Sequence, residues 1–182
     1  MPRHPTGSAR SKGLSLFEGL IALLIGSILL TLSAAAFQRW IRDAQLTAVI
    51  NDFVAAVHLA RQTAQTRALP ITLCPSTDGI RCDEALDWSH GWLMRVGEPH
   101  RPVLNEGDFL QRGSAVAAQK IRITANRSAF SFRPFTLRDT NGTLQFCDQQ
   151  GLARARQVIV SPTGRPRLAY GTTSKASGNC AP

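Results

Sequence analysis

The sequence predicts an α+β fold: one long N-terminal helix, its first half transmembrane, followed by a C-terminal antiparallel β-sandwich-like head. Three observations carry this. Residues 19–37, GLIALLIGSILLTLSAAAF, contain no charged side chain. No Pro or Gly falls between Phe37 and Pro70, and an apolar stripe runs through that stretch. After Pro70 the texture changes to short apolar runs punctuated by turn residues.

Residues 1–13, MPRHPTGSARSKG, are basic, free of acidic residues and rich in Pro, Gly and Ser. They read as a leader peptide. The uncharged run that follows, at about 1.5 Å per residue, nearly matches the roughly 30 Å hydrocarbon core of a bilayer. Arg10 and Lys12 precede it and Arg39 and Arg42 follow. The basic N-terminal cluster holds that end in the cytoplasm and sends the head outward. SAAAF could also end a cleaved secretory signal. Against that reading stands Glu18 at the mouth of the apolar run, where a carboxylate is costly in lipid unless paired. Cleavage after Gly13 would free the amino group of Leu14, which could neutralise Glu18 of a neighbouring subunit.

Segment 14–38 is thus the transmembrane or filament-core helix, and segment 39–68 its amphipathic continuation. Leu46, Ile50, Phe53, Val57, Ala60 and Ala64 recur at steps of three and four, forming one stripe to pack on the head. A coiled-coil dimer is the alternative, but a stripe ending in Ala suits it poorly.

Residues 69–182 form the β-rich head. Runs 71–74, 91–96, 120–124, 129–133, 143–147, 157–161 and 167–170 read as seven short strands. Phe130, Phe132 and Phe135 are expected to be core or sheet-face residues, and Trp88 and Trp92 packing anchors. Four cysteines allow three pairings. Cys74 and Cys82 bracket a turn-rich loop and read as a local staple; Cys147 would then tie to Cys180 and pin the tail. Such bridges would place the head in an oxidising compartment.

The segment KGLSLFEGLIALLI resembles the class III signal of type IV pilins and pseudopilins, with Leu14 in place of the usual Phe. The resemblance implies cleavage after Gly13 by a prepilin peptidase, N-methylation of Leu14 and an assembly role for Glu18. In the head, Cys74 and Cys82 around a Ser-Thr-Asp-Gly turn, Asp87-Trp88-Ser89-His90-Gly91-Trp92, Cys147-Asp148 with Gly151, and Ser161-Pro162-Thr163-Gly164-Arg165-Pro166-Arg167 are similar to the GspH/FimT family of minor pilins. The likeness implies a type IV pilin-like fold and runs from Gly13 to about Leu168.

Lys and Arg outnumber Asp and Glu by 21 to 12, and all but Lys12, Lys120 and Lys175 are Arg. Such a surface favours polyanions. From Gln149 to Pro182 there is no acidic residue, yet Arg154, Arg156, Arg165, Arg167 and Lys175 are present. In an extended segment Arg165 and Arg167 project to one face about 7 Å apart, close to the spacing of successive phosphates. Gly164 would let the backbone approach a ligand, and Pro166 would stiffen the segment. A Gly-Arg-x-Arg motif at this place resembles that of FimT-type minor pilins, which bind DNA in natural transformation. The expected partners are therefore DNA, held through its phosphates, other pilin subunits, the prepilin peptidase and, before assembly, the inner membrane. The head would lie in the periplasm and later on the pilus. The alternatives are a hairpin with solvated arginines in a subunit acting only in assembly of a type IV pilus or type II secretion pseudopilus, and an adhesin-like tip protein.

No nucleophile elbow, phosphate loop or HExxH is present, so no catalytic residue, cofactor or metal is expected. Asp83, Glu84 and Asp87 cluster in the disulfide region without EF-hand spacing and read as a solvated acidic loop.

Overall fold

The computed structural model describes residues 15–99, 108–116, 120–136 and 138–170. The segment expected as a leader, with Gly13, the following Leu14, Lys175 and Cys180 lie outside the described residues. The chain divides into two compact units, Met1–Gln38 and Arg39–Pro182, and helix α1 (Leu16–Arg67) contributes to both.

In the first unit Ser15 stands before the helix, and its carbonyl accepts the amide of Gly19 at 3.1 Å. Glu18 falls in the first turn, where the helix dipole favours a carboxylate. Leu20, Leu23, Leu24, Ile28, Leu29 and Leu30 are exposed, and the run is long and apolar enough to cross a membrane. Its few hydroxyls are satisfied within the helix. Ser27, Thr31 and Ser33 donate to the carbonyls of Leu24, Ile28 and Leu30 at 2.8, 2.8 and 3.1 Å. That arrangement leaves none of these three hydroxyls needing water in an apolar medium.

In the second unit the expected stripe is buried: Leu46, Ile50, Phe53, Val57, Ala60 and Ala64 all belong to the core. The helix ends through Ala68, whose φ of 53° is a left-handed cap in a residue other than Gly. Pro70 two residues on cannot continue the helix.

Eight strands follow: β1 (Ile71–Pro75), β2 (Trp92–Val96), β3 (Phe109–Gly113), β4 (Ile121–Ala125), β5 (Phe130–Phe132), β6 (Gly142–Asp148), β7 (Arg156–Val160) and β8 (Pro166–Tyr170). They form two antiparallel sheets, ordered β3-β2-β1-β5 and β4-β6-β7-β8. The seven expected strands are present, and β3 is an addition. As an edge strand it is only partly buried, with exposed Gln111 and Arg112, so its sequence lacks a period-two apolar signal. Gly113 lies opposite Trp92, and a Cβ there would overlap the indole ring.

One core joins α1 to both sheets. Phe53 sits at its centre, edge-on to Trp88, Trp92 and Phe130 with ring centroids 5.8, 6.2 and 6.4 Å away. Trp88 and Trp92 are buried, as packing anchors should be. Phe130 and Phe132 are likewise core residues, whereas Phe135 is 87% exposed. Phe135 falls in a turn after β5 rather than on the strand, which takes it off the core face.

Candidate nucleic-acid interface

The β7–β8 hairpin is built by the segment SPTGR. The amide of Gly164 donates to the Ser161 carbonyl at 2.9 Å, closing a four-residue turn. The Ser161 amide donates to the Arg165 carbonyl at 3.0 Å, and the Arg165 amide returns to Ser161 Oγ at 3.1 Å. Gly164 has a φ of 70°, the left-handed residue that such three-residue hairpin loops require.

Gly164 does not present backbone to solvent. It is buried, and a Cβ on it would run into Asp139 Oδ2 and approach Phe132 at 3.2 Å and Arg61 at 3.3 Å. The Asp139 amide also donates to the Pro162 carbonyl at 2.7 Å. The close approach expected at Gly164 is therefore to the protein's own β5–β6 loop, and the glycine locks the turn rather than opening it to a ligand.

Register fixes which way the strands' side chains point. Val158 and Val160 are core residues and pair with Leu168 and Pro166. Arg167 pairs with Ile159, and Ile159 with Thr143, on the opposite face. Arg165, opposite Ser161, shares that outward face. Both arginines are exposed, and neither makes an ion pair among the described residues. The outward residues of this sheet, Arg122, Thr124, Thr143, Gln145, Cys147, Gln157, Ile159, Arg167 and Ala169, include no carboxylate. Gln145 and Cys147 are buried even so, which puts the open part of the face at β8.

The remaining expected contacts separate. Arg154 is exposed but stands beyond the other end of β7, with the whole strand, about 17 Å at the usual rise, between it and the turn. Arg156 faces inward: its guanidinium is ion-paired to Asp43 and donates to Thr47 Oγ1, both on α1. That engagement removes Arg156 from the set that could meet a phosphate, a correction to the sequence reading. What the sequence did not single out is the β5–β6 loop docked on the turn. It carries exposed Phe135 and Arg138, while its Arg133 is already bound to Glu98 through contacts of 2.9 and 3.3 Å. The one signal available was the pair of arginines flanking PFTL.

Cys74 and Cys82 form the expected disulfide. Cys147 is not a free thiol, and Cys180 lies outside the described residues. Inside the stapled loop Asp78 Oδ1 accepts the amides of Ile80 and Arg81 at 2.7 and 2.9 Å. These bonds, that to Arg81 first, lower its pKa to about 2. Asp83 accepts the amide of Thr77 and Asp87 that of Ser89, so two of the acidic trio bind backbone.

Residues 49–164 match the GspH family, described as type II transport protein. No curated protein matches the chain significantly. A crystal structure of the type IV minor pilin FimU of Pseudomonas aeruginosa shares the fold. In one crystal form the TM-score is 0.50 at 15% identity, covering 71% of this chain and 94% of FimU. In a second form the TM-score is 0.48 at 18% identity, covering 72% and 92%.

Proposed function

Because the chain belongs to the GspH family of type II transport proteins, we propose that it is a type IV minor pilin that captures DNA for uptake in natural transformation. A role as minor pilin or pseudopilin follows from the family and agrees with the long apolar helix. The finer reading rests on one observation: Arg165 and Arg167 stand unpaired on one carboxylate-free face of a rigidly closed hairpin. Two guanidiniums carried by backbone positions about 7 Å apart suit adjacent phosphates of one strand and carry no base preference. Arg154 could extend the track, as could Lys175. Arg156 is not part of it.

The remaining roles belong to the same proposal. A prepilin peptidase cuts after Gly13, and the Leu14 amine and Glu18 pair between subunits during assembly. The inner membrane holds the helix until then, with the head in the periplasm and later on the pilus. A Cys147–Cys180 bridge closes the tail.

The test is a salt series of DNA binding by the full chain in non-ionic detergent, with Arg165→Gln/Arg167→Gln beside it. Two phosphate contacts predict that the variant's log–log salt slope is shallower by about two. Equal binding by both proteins would remove the arginine pair as the DNA site, and no binding by either would remove the DNA reading.

One observation favours the assembly-only alternative. Leu168 and Tyr170 lie on the core-side face of β8 yet are 46% and 71% exposed, an apolar strip suited to a sister subunit. Loss of filaments or secretion in the arginine variant, with DNA binding unchanged, would support that reading.

A further inference from the structure

Phe135 combines two properties that are rarely found together. It is 87% exposed, and its φ of 55° is a conformation that a bulky side chain seldom adopts. Core packing explains neither, since the ring touches no partner among the described aromatic contacts. Strained backbone that displays a side chain to solvent is the pattern of a binding residue.

Its neighbourhood says what it would bind. Four residues on, Asp139 is bonded to the turn that carries Arg165, through the 2.7 Å contact to the Pro162 carbonyl. Four residues of chain span at most about 14 Å, so the ring stands within a few nucleotides' reach of the arginine pair. Arg138, exposed and without an ion pair among the described residues, precedes Asp139 in the same loop. An exposed aromatic ring on a loop docked against a turn that carries unpaired cations is the composition of a surface for single-stranded nucleic acid. There the phosphates follow the cations and a base stacks on the ring. A duplex keeps its bases stacked on one another and offers the ring nothing.

We propose that Phe135 stacks on a nucleobase of a strand whose phosphates lie on Arg165 and Arg167, so that the preferred ligand is single-stranded DNA. This inference rests on the DNA-capture reading. Its test measures binding of a fluorescein-labelled oligothymidylate of about 12 nucleotides, within the usual site sizes, and of a duplex of equal length. The protein is the full chain in non-ionic detergent at low salt. Phe135→Ala should weaken the single strand roughly tenfold, as loss of one stacked base does, and leave the duplex nearly unchanged. Phe135→Trp should keep the affinity, and its new indole emission should be quenched by the oligonucleotide. If Phe135→Ala binds the single strand like the parent, or weakens both ligands equally, while Arg165→Gln/Arg167→Gln abolishes binding, the stacking inference is overturned and DNA capture stands. If the parent binds neither ligand, DNA capture itself fails; if the arginine variant binds both as well as the parent, the arginine site fails; stacking falls with either.

Discussion

The guanidinium of Arg156 on β7 is ion-paired to Asp43 on α1, tying the second sheet to the helix well outside the aromatic centre around Phe53. Its Nη1 also donates to Thr47 Oγ1 at 2.5 Å, one turn further along. The Arg156 side chain is 12% exposed and that of Asp43 49%, so the pair lies between a surface bridge and a buried one. The Nε atom of Arg156 is buried without a partner, a cost that the pair has to offset.

The two ends of this clamp should therefore be unequal. Asp43→Ala strands a nearly buried guanidinium and should destabilise the second unit by about 1–3 kcal/mol. Arg156→Met keeps an aliphatic stem and removes the orphaned Nε, so its loss should be smaller, under about 1 kcal/mol. Thermal unfolding of the full chain in detergent, followed by near-ultraviolet circular dichroism of the buried tryptophans, gives the comparison. A larger loss in Arg156→Met would mean that the clamp's stability resides in the charge itself.

Gly164→Ala should damage the hairpin from within. A methyl there meets Asp139 and Phe132, and the backbone sits at a φ of 70°. The left-handed conformation alone costs about 1 kcal/mol for a residue with a Cβ, and the overlap adds to it. The melting temperature should fall and DNA binding with it. Arg165→Gln, on an exposed side chain, should lose binding at an unchanged melting temperature. A Gly164→Ala protein as stable as the parent would contradict the packing described for this turn.

How much of this was legible in the residues depended on how locally each feature is encoded. The α1 stripe from Leu46 to Ala64 was readable because helical period and burial agree over many turns. The face shared by Arg165 and Arg167 was readable because alternation in a strand needs only the strand. Strand β3 was not, since an edge strand can dispense with apolar alternation. Arg156 looked like its basic neighbours, because only the partner Asp43, more than a hundred residues away in sequence, turns it inward. Phe135 looked like Phe130 and Phe132 for the same reason: its exposure is set by where β5 ends.

The disulfide loop should have its own acid response. Asp78 has a folded pKa of about 2, below the ordinary 3.8, because the amides of Arg81 and Ile80 bind its ionised form. A depressed folded value means the ionised carboxylate stabilises the loop above the ordinary pKa of 3.8. That contribution declines as pH falls and is gone below about 2. Amide shifts of Ile80 and Arg81, followed by nuclear magnetic resonance in micelles, should titrate near the lower value. In Asp78→Ala that transition should vanish and both amides should exchange faster with solvent. A midpoint near 3.8 would show that the amides do not hold the charged form.

Glu18 carries two readings that one substitution separates. With Ser15 at the position before the helix, Glu18 has the spacing of a capping box, in which the acid reaches back to the capping residue's amide. That role is internal to the subunit and is served by Gln as well as by Glu. The proposed assembly role needs the negative charge, because its partner is the amino group of a neighbouring Leu14 in an apolar filament core. Glu18→Gln therefore preserves the cap and removes the ion pair. Ser15→Ala does the reverse, weakening the first turn by about 1 kcal/mol while leaving the carboxylate. Incorporation of each tagged variant into sheared filaments, with membrane levels measured alongside, should fall sharply for Glu18→Gln and little for Ser15→Ala. The opposite order would make Glu18 a helix-start residue and send the search for the assembly contact elsewhere along α1.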